Sequence, residues 1–139
     1  MATRKRSSVF PASLLAACAA LAGCAGGGMY SEPYALFAAE ARSATEDTRP
    51  AFPMRIDDRM VEIGRNDPVK PGVRKVEVSI PGPPGMSDPD RDTLTVDAKP
   101  CTRYYFAAQR SSRTAKDWKA FVAHAEPIGE CVQKFPGAK

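Results

Sequence analysis

The chain has 139 residues, room for one domain, and carries 20 basic against 16 acidic side chains for a formal net charge of +4. Arg4, Lys5 and Arg6 precede every acid, so beyond residue 23 the 20 basic residues fall by three to 17 against 16, and nothing in that balance argues for nucleic acid or an acidic partner. The apolar run from Phe10 to Ala22 is shorter than the ~20 residues a membrane span needs and contains Pro11, which argues against a permanent span.

Taken in chain order, the first segment has a positive start, an apolar stretch and a zone of small residues, the pattern of an export signal rather than of a folded element. Its end, Leu21-Ala22-Gly23-Cys24, resembles the bacterial lipobox. The resemblance implies a lipoprotein signal peptide over 1–23, which also removes Cys18, and a diacylglyceryl group on the thiol of Cys24, the new first residue. Each buried methylene of an acyl chain contributes ~0.8 kcal/mol, so several chains give stable attachment to a membrane through covalent lipid. Ala25, where an aspartate would signal retention, implies the outer membrane, with the domain facing the periplasm.

Residues 24–32 combine the acylated cysteine with a glycine-rich, flexible linker. A domain is expected over 33–135, with a short tail at 136–139. Residues 34–42 fit a strand or a helix, and we favour the strand. Residues 43–49 break that pattern by polarity. Residues 51–63 read as two short extended pieces around a turn at Asp57 and Asp58, and Pro53 implies an edge position or a bulge. Asn66 to Gly72 is a loop by its breakers.

The clearest strand covers 73–80, where Val76, Val78 and Ile80 share one face and Lys75, Glu77 and Ser79 the other. Residues 81–92, rich in proline, glycine and aspartate, are expected to form one long surface loop. Residues 93–98 alternate again, with Leu94, Val96 and Ala98 inward. Residues 101–109 form an aromatic strand, 111–116 a polar hairpin loop, and 117–126 a strand or a helix. The strand is preferred there because the short loop returns the chain along its neighbour.

Several short strands divided by proline and glycine predict an all-β fold, a small antiparallel two-sheet sandwich. Cys101 and Cys131 are the thiols left beyond Cys24, and an even pair in an exported chain predicts a disulfide stapling it. The order of the Ile56-Asp57-Asp58 turn, Lys70-Pro71-Gly72 before a strand, Thr93-Leu94-Thr95-Val96, and Lys99-Pro100-Cys101-Thr102-Arg103-Tyr104-Tyr105 resembles small proteobacterial lipoproteins with a PEGA-like or transthyretin-like sandwich. The sequence departs from the PEGA pattern at Asp58, where a turn glycine is usual.

Candidate chemistry is sparse. Asp88, Asp90 and Asp92 mimic the first half of a calcium loop, but Thr93 and Lys99 stand where glycine and a bidentate glutamate belong, so a solvated loop is expected and no metal site. His124, the single histidine, has no nucleophile or orienting acid marked in the sequence, and a surface or half-buried role is expected. Asp57 and Asp58 are adjacent and read as turn residues rather than an acid-base pair. Among Tyr104, Tyr105, Phe106, Trp118 and Phe121, most should fill the core, while Tyr105 and Trp118, with Arg103, are the candidate binding face. The expectation is a non-enzymatic module without cofactor, serving structure or protein interaction in the envelope. Its rival is a binder of cell-wall glycan or an inhibitor of a wall-degrading enzyme, and the two are separated by whether Tyr105 and Trp118 point outward together.

Overall fold

A computed structural model of the chain describes residues 30–41, 45, 47–62, 65–82, 88–112 and 114–138. The leader and Cys24 therefore lie outside the described residues. The strands are β1 (Ala35–Ala39), β2 (Thr48–Pro50), β3 (Phe52–Ile56), β4 (Arg59–Met60), β5 (Gly72–Ile80), β6 (Asp90–Ala98), β7 (Thr102–Arg110) and β8 (Trp118–Pro127), followed by a helix, α1 (Gly129–Lys134).

They form the expected two-sheet sandwich. In the first sheet β7 is central. It has β8 antiparallel on one side and, on the other, β1 beside its first half and β2 beside its second. β1 runs parallel to β7, a departure from an all-antiparallel sandwich. β1 and β2 meet at Phe106, whose carbonyl accepts the N–H groups of Glu40 at 2.8 Å and Ala51 at 3.1 Å. Ala51, fully buried, is where the chain crosses into the second sheet, ordered β4-β3-β5-β6.

Alternation decides what lies between the sheets. Val76, Val78 and Ile80 of β5 are wholly buried, Val96 and Ala98 of β6 nearly so, and they pack against Phe37, Tyr104, Phe106 and Trp118 of the first sheet. The Phe37 ring meets Tyr104 and Phe106 edge-on at 5.7 and 5.3 Å, a geometry that adds ~0.5–1.5 kcal/mol per pair beyond the area buried. The Tyr104 hydroxyl also spans the β6–β7 corner, accepting the Lys99 N–H at 2.8 Å and donating to the Asp97 carbonyl at 3.2 Å.

The loop expected over 81–92 is shorter than its composition suggests. Asp90, Arg91 and Asp92 are strand, opposite Ile80, Ser79 and Val78. The partner strand has to continue to Asp90 because the backbone groups of β5 need hydrogen bonds as far as Ile80. Asp92 also departs from a merely solvated role, since its Oδ2 accepts the N–H of Ala120 on β8 at 2.7 Å and ties the two sheets along that side.

At the other anticipated irregularities the residues behave as read. The β3–β5 register slips between Pro53 and Arg55, a bulge that accommodates the proline. Asp57 and Asp58 make the two-residue turn between β3 and β4 with φ of 49° and 65°, both left-handed, as a tight hairpin turn requires. Asp57 is clamped there: Oδ1 accepts the Lys75 N–H at 3.0 Å and Oδ2 the Arg74 guanidinium at 2.8 Å. First the Lys75 backbone bond and then the Arg74 bond hold its carboxyl below the ordinary range.

The disulfide joins Cys101 to Cys131, with Cα atoms 5.2 Å apart. It fastens the β6–β7 corner to α1, a helix the sequence reading did not anticipate. Around it Tyr34, Leu36 and Ile128 form a second apolar cluster, with Tyr30, Phe135 and Ala138 packed against it. Tyr34 donates to Glu130 at 3.0 Å, and burial, followed by that bond, pushes its phenol up.

Candidate functional site

Since Tyr104, Phe106 and Ala108 of β7 point into the core, Arg103, Tyr105 and Ala107 stand on the outer face of the first sheet. The strand register then sets their neighbours: Arg103 lies opposite Glu126, Tyr105 opposite His124, and Ala107 opposite Phe121. On the β1 side, Leu36 is level with Arg103 and Ala38 with Tyr105, and Glu40 follows just beyond the strand.

This places five polar or aromatic side chains in one connected row. His124 Nδ1 lies 2.7 Å from Oε2 of Glu40, a carboxylate whose residue is only 4% exposed. The imidazole stacks on the Tyr105 ring with centroids 4.2 Å apart and planes 15° from parallel. The Tyr105 hydroxyl donates to Glu126 Oε1 at 2.6 Å, and Arg103 Nη1 reaches the same oxygen at 3.6 Å. Arg103 Nε is buried without a hydrogen-bond partner among the described residues. A carboxylate accepts, so the Nδ1–H of His124 is the donor to Glu40.

The orienting acid for His124, unmarked in the sequence, is thus supplied by Glu40 from the distant β1. A hydroxyl or thiol nucleophile beside the imidazole is not among the described contacts. No three of the described His, Cys, Asp and Glu side chains gather as a metal site would require.

The candidate binding face divides. Arg103 and Tyr105 are together on the outer face, whereas Trp118 is 8% exposed in the core, with the guanidinium groups of Arg49 and Arg110 over its ring at 4.7 and 5.3 Å from the centroid. The cause is a bulge in β8. Opposite Tyr105 and Phe106 stand His124 and Val122, so Ala123 is extra. Trp118 and His124 have the same parity in the chain, and the extra residue turns them to opposite faces. Glu40 and Glu126 were not singled out by sequence. A hairpin folded about 111–116 signals the Glu126 pairing, while nothing local signals Glu40.

No family model, curated protein or solved structure matches the chain.

Proposed function

We propose that the protein is an envelope lipoprotein, held to the outer membrane by lipid on Cys24, whose β domain is a non-catalytic docking module for another envelope protein. The observation that carries the docking reading is the row Glu40, His124, Tyr105, Glu126 and Arg103 on an otherwise ordinary sheet face. It offers fixed hydrogen-bonding groups of both charges on one face of the sheet. The sugar-stacking alternative needs two open rings on one side. Trp118 is in the core, and one face of Tyr105 is covered by His124.

Two measurements test this. Cys24→Ser should abolish incorporation of labelled fatty acid and leave precursor. Continued labelling would refute the anchor. A photo-crosslinking residue at Gln109 or Lys119, both exposed beside the row, should capture one envelope protein in cells. Combined Arg103→Ala and His124→Ala should cut that yield by about tenfold, the effect of losing ~1.4 kcal/mol of binding. Equal capture from a crosslinker at Asp97, on the second sheet, would refute the docking face. Sedimentation of the protein with purified peptidoglycan, unaffected by the crosslinked partner, would favour the glycan reading.

A further inference from the structure

The chain enters the domain beside α1. The Tyr30 ring meets that of Tyr34 at 4.5 Å, tilted by 53°, and packs with Phe135 and Ala138 on the apolar cluster around the disulfide. Lys134 Nζ donates to the Tyr30 carbonyl, which fastens this first described residue to the end of the helix. Only residues 25–29 stand between Tyr30 and Cys24. Six Cα–Cα steps span at most ~22 Å, so a lipid on Cys24 keeps this end of the sandwich within that distance of the bilayer, whatever path the link takes.

The opposite end of the sandwich is farther off than that. β7 starts next to Cys101 and rises ~3.3 Å per residue, which puts Ser111 ~30 Å from Thr102. It could reach the lipid only with the domain lying on its side. The α1 end, in contrast, is held at an effective concentration on the order of 1 mM relative to the surface, so contacts too weak to form alone are populated there.

The side chains at that end suit a membrane interface. Val132 is 44% exposed, and Phe135, three residues on and so its neighbour on the helix, is half-buried, as is Tyr30. The Lys134 ammonium lies 5.5 Å from the Phe135 ring. Tyrosine has an apolar body with a polar tip and lysine a charged head on a long apolar stem, and such side chains settle at the level of lipid headgroups. The neighbouring acid, Glu130, is engaged by the Tyr34 hydroxyl. With six residues α1 is ~9 Å long, enough to lie along the interface and too short to cross it.

We propose that the α1 end of the domain, through Tyr30, Val132, Lys134 and Phe135, docks on the phospholipid surface to which Cys24 is anchored, so that β7 stands up from the bilayer with Arg103 nearer the lipid than Ser111. This rests on the reading of Cys24 as the lipid-bearing residue and adds a fixed orientation to it. The row beside Tyr105 then faces along the membrane rather than toward it, open to a partner held in the same envelope.

The test uses the full acylated protein, one copy per nanodisc of phosphatidylethanolamine and phosphatidylglycerol, with gadolinium chelated on a fraction of the headgroups and amide signals read by NMR. The amides of Val132, Gln133 and Phe135 should be broadened most and those of Ser111 and Ser112 least, and the domain should reorient with the disc. Val132→Glu combined with Gln133→Glu changes two exposed residues. It should lower the docked population about tenfold, since each acidic charge at an anionic surface costs several-fold in occupancy, and should let the domain reorient freely. The same two glutamates at Ser111 and Ser112 add equal charge at the far end and should change neither readout. Free reorientation of the parent, broadening as strong at Ser111 as at Val132, or equal loss from both double variants would overturn the proposal. Slow reorientation that appears only with two copies per disc would overturn it in favour of contact between copies. Failure of fatty-acid labelling at Cys24 removes the anchor and this proposal together, whereas labelling with free reorientation leaves the anchor and removes only the docking.

Discussion

Trp118→Ala separates the two roles that Trp118 and Tyr105 share in the sequence. In the structure Trp118 is 8% exposed and touches the core cluster, with Arg49 and Arg110 over its ring. Truncating a buried tryptophan costs ~3–5 kcal/mol in lost transfer energy and cavity, and each cation–π contact adds ~0.5–1 kcal/mol. Tyr105 is half-buried on the outer face. Its removal forfeits a stacking contact of ~0.5–1.5 kcal/mol and a solvent-screened hydrogen bond, so ~1–2 kcal/mol in all. A domain of this size has ~5–15 kcal/mol to lose. In urea, with a slope of ~1.5 kcal/mol per molar, Trp118→Ala should lower the unfolding midpoint by ~3–5 M and Tyr105→Ala by ~1 M. Equal shifts, or a Trp118→Ala midpoint close to that of the parent, would refute the assignment of Trp118 to the core and the bulge that puts it there.

Other expectations follow from named contacts. Replacing Cys101 and Cys131 together by alanine opens a crosslink with a sequence separation of 30, and loop-closure entropy puts the loss at ~3–4 kcal/mol, readable in the same urea titration against the oxidised parent. Asp58→Gly relieves a left-handed residue at φ 65° and should stabilise the fold by ~0.5–1 kcal/mol, raising the thermal midpoint by several degrees; a fall would mean the Lys75 contact outweighs backbone strain. Asp57 titrates below its ordinary range when folded, so it adds stability above its unfolded value and loses it as pH falls through the lowered one. The stability advantage of the parent over Asp57→Asn should therefore shrink on acidification from about pH 6 to 3, and an advantage that grows would reverse the sign argued here.

Much of the sandwich was legible because one face of each long strand is buried. In β5 and β6 the period of two places Val76, Val78, Ile80, Val96 and Ala98 inward without knowledge of the partner sheet. The disulfide was legible from the export pattern and an even count of cysteines. Short pieces were less legible. β2 is three residues long and carries a proline, and only the carbonyl of Phe106 and the second half of β7 give it a place. The helix α1 is six residues and depends on the disulfide at Cys131 and on packing against Leu36 and Tyr34. Propensity over six residues does not decide a helix when tertiary contacts hold it.

The candidate site was legible only in part, and the reason is geometric. Parity along a strand carries side-chain direction as long as the ladder is regular, so Arg103 and Tyr105 fall on one face. A single extra residue reverses parity for everything beyond it. Ala123 does this in β8: it sends Trp118 inward to the core cluster and brings His124 to the outer face against Tyr105. The composition around it, Val122, Ala123, His124 and Ala125, contains no glycine or proline to mark a bulge. The partner of His124 is harder still to foresee, because Glu40 follows directly on a strand, β1, that joins β7 in parallel from much earlier in the chain. Such a pairing has no turn to announce it. It also explains why a carboxylate is buried just past an apolar strand: Glu40 keeps its N–H on the Phe106 carbonyl while its side chain holds the histidine, so the end of β1 is fixed by the same residue that orients the row. On that geometry Glu40→Gln, which keeps the shape and removes the charge, bears on the row's affinity for a partner, whereas Glu40→Leu bears on the fold as well.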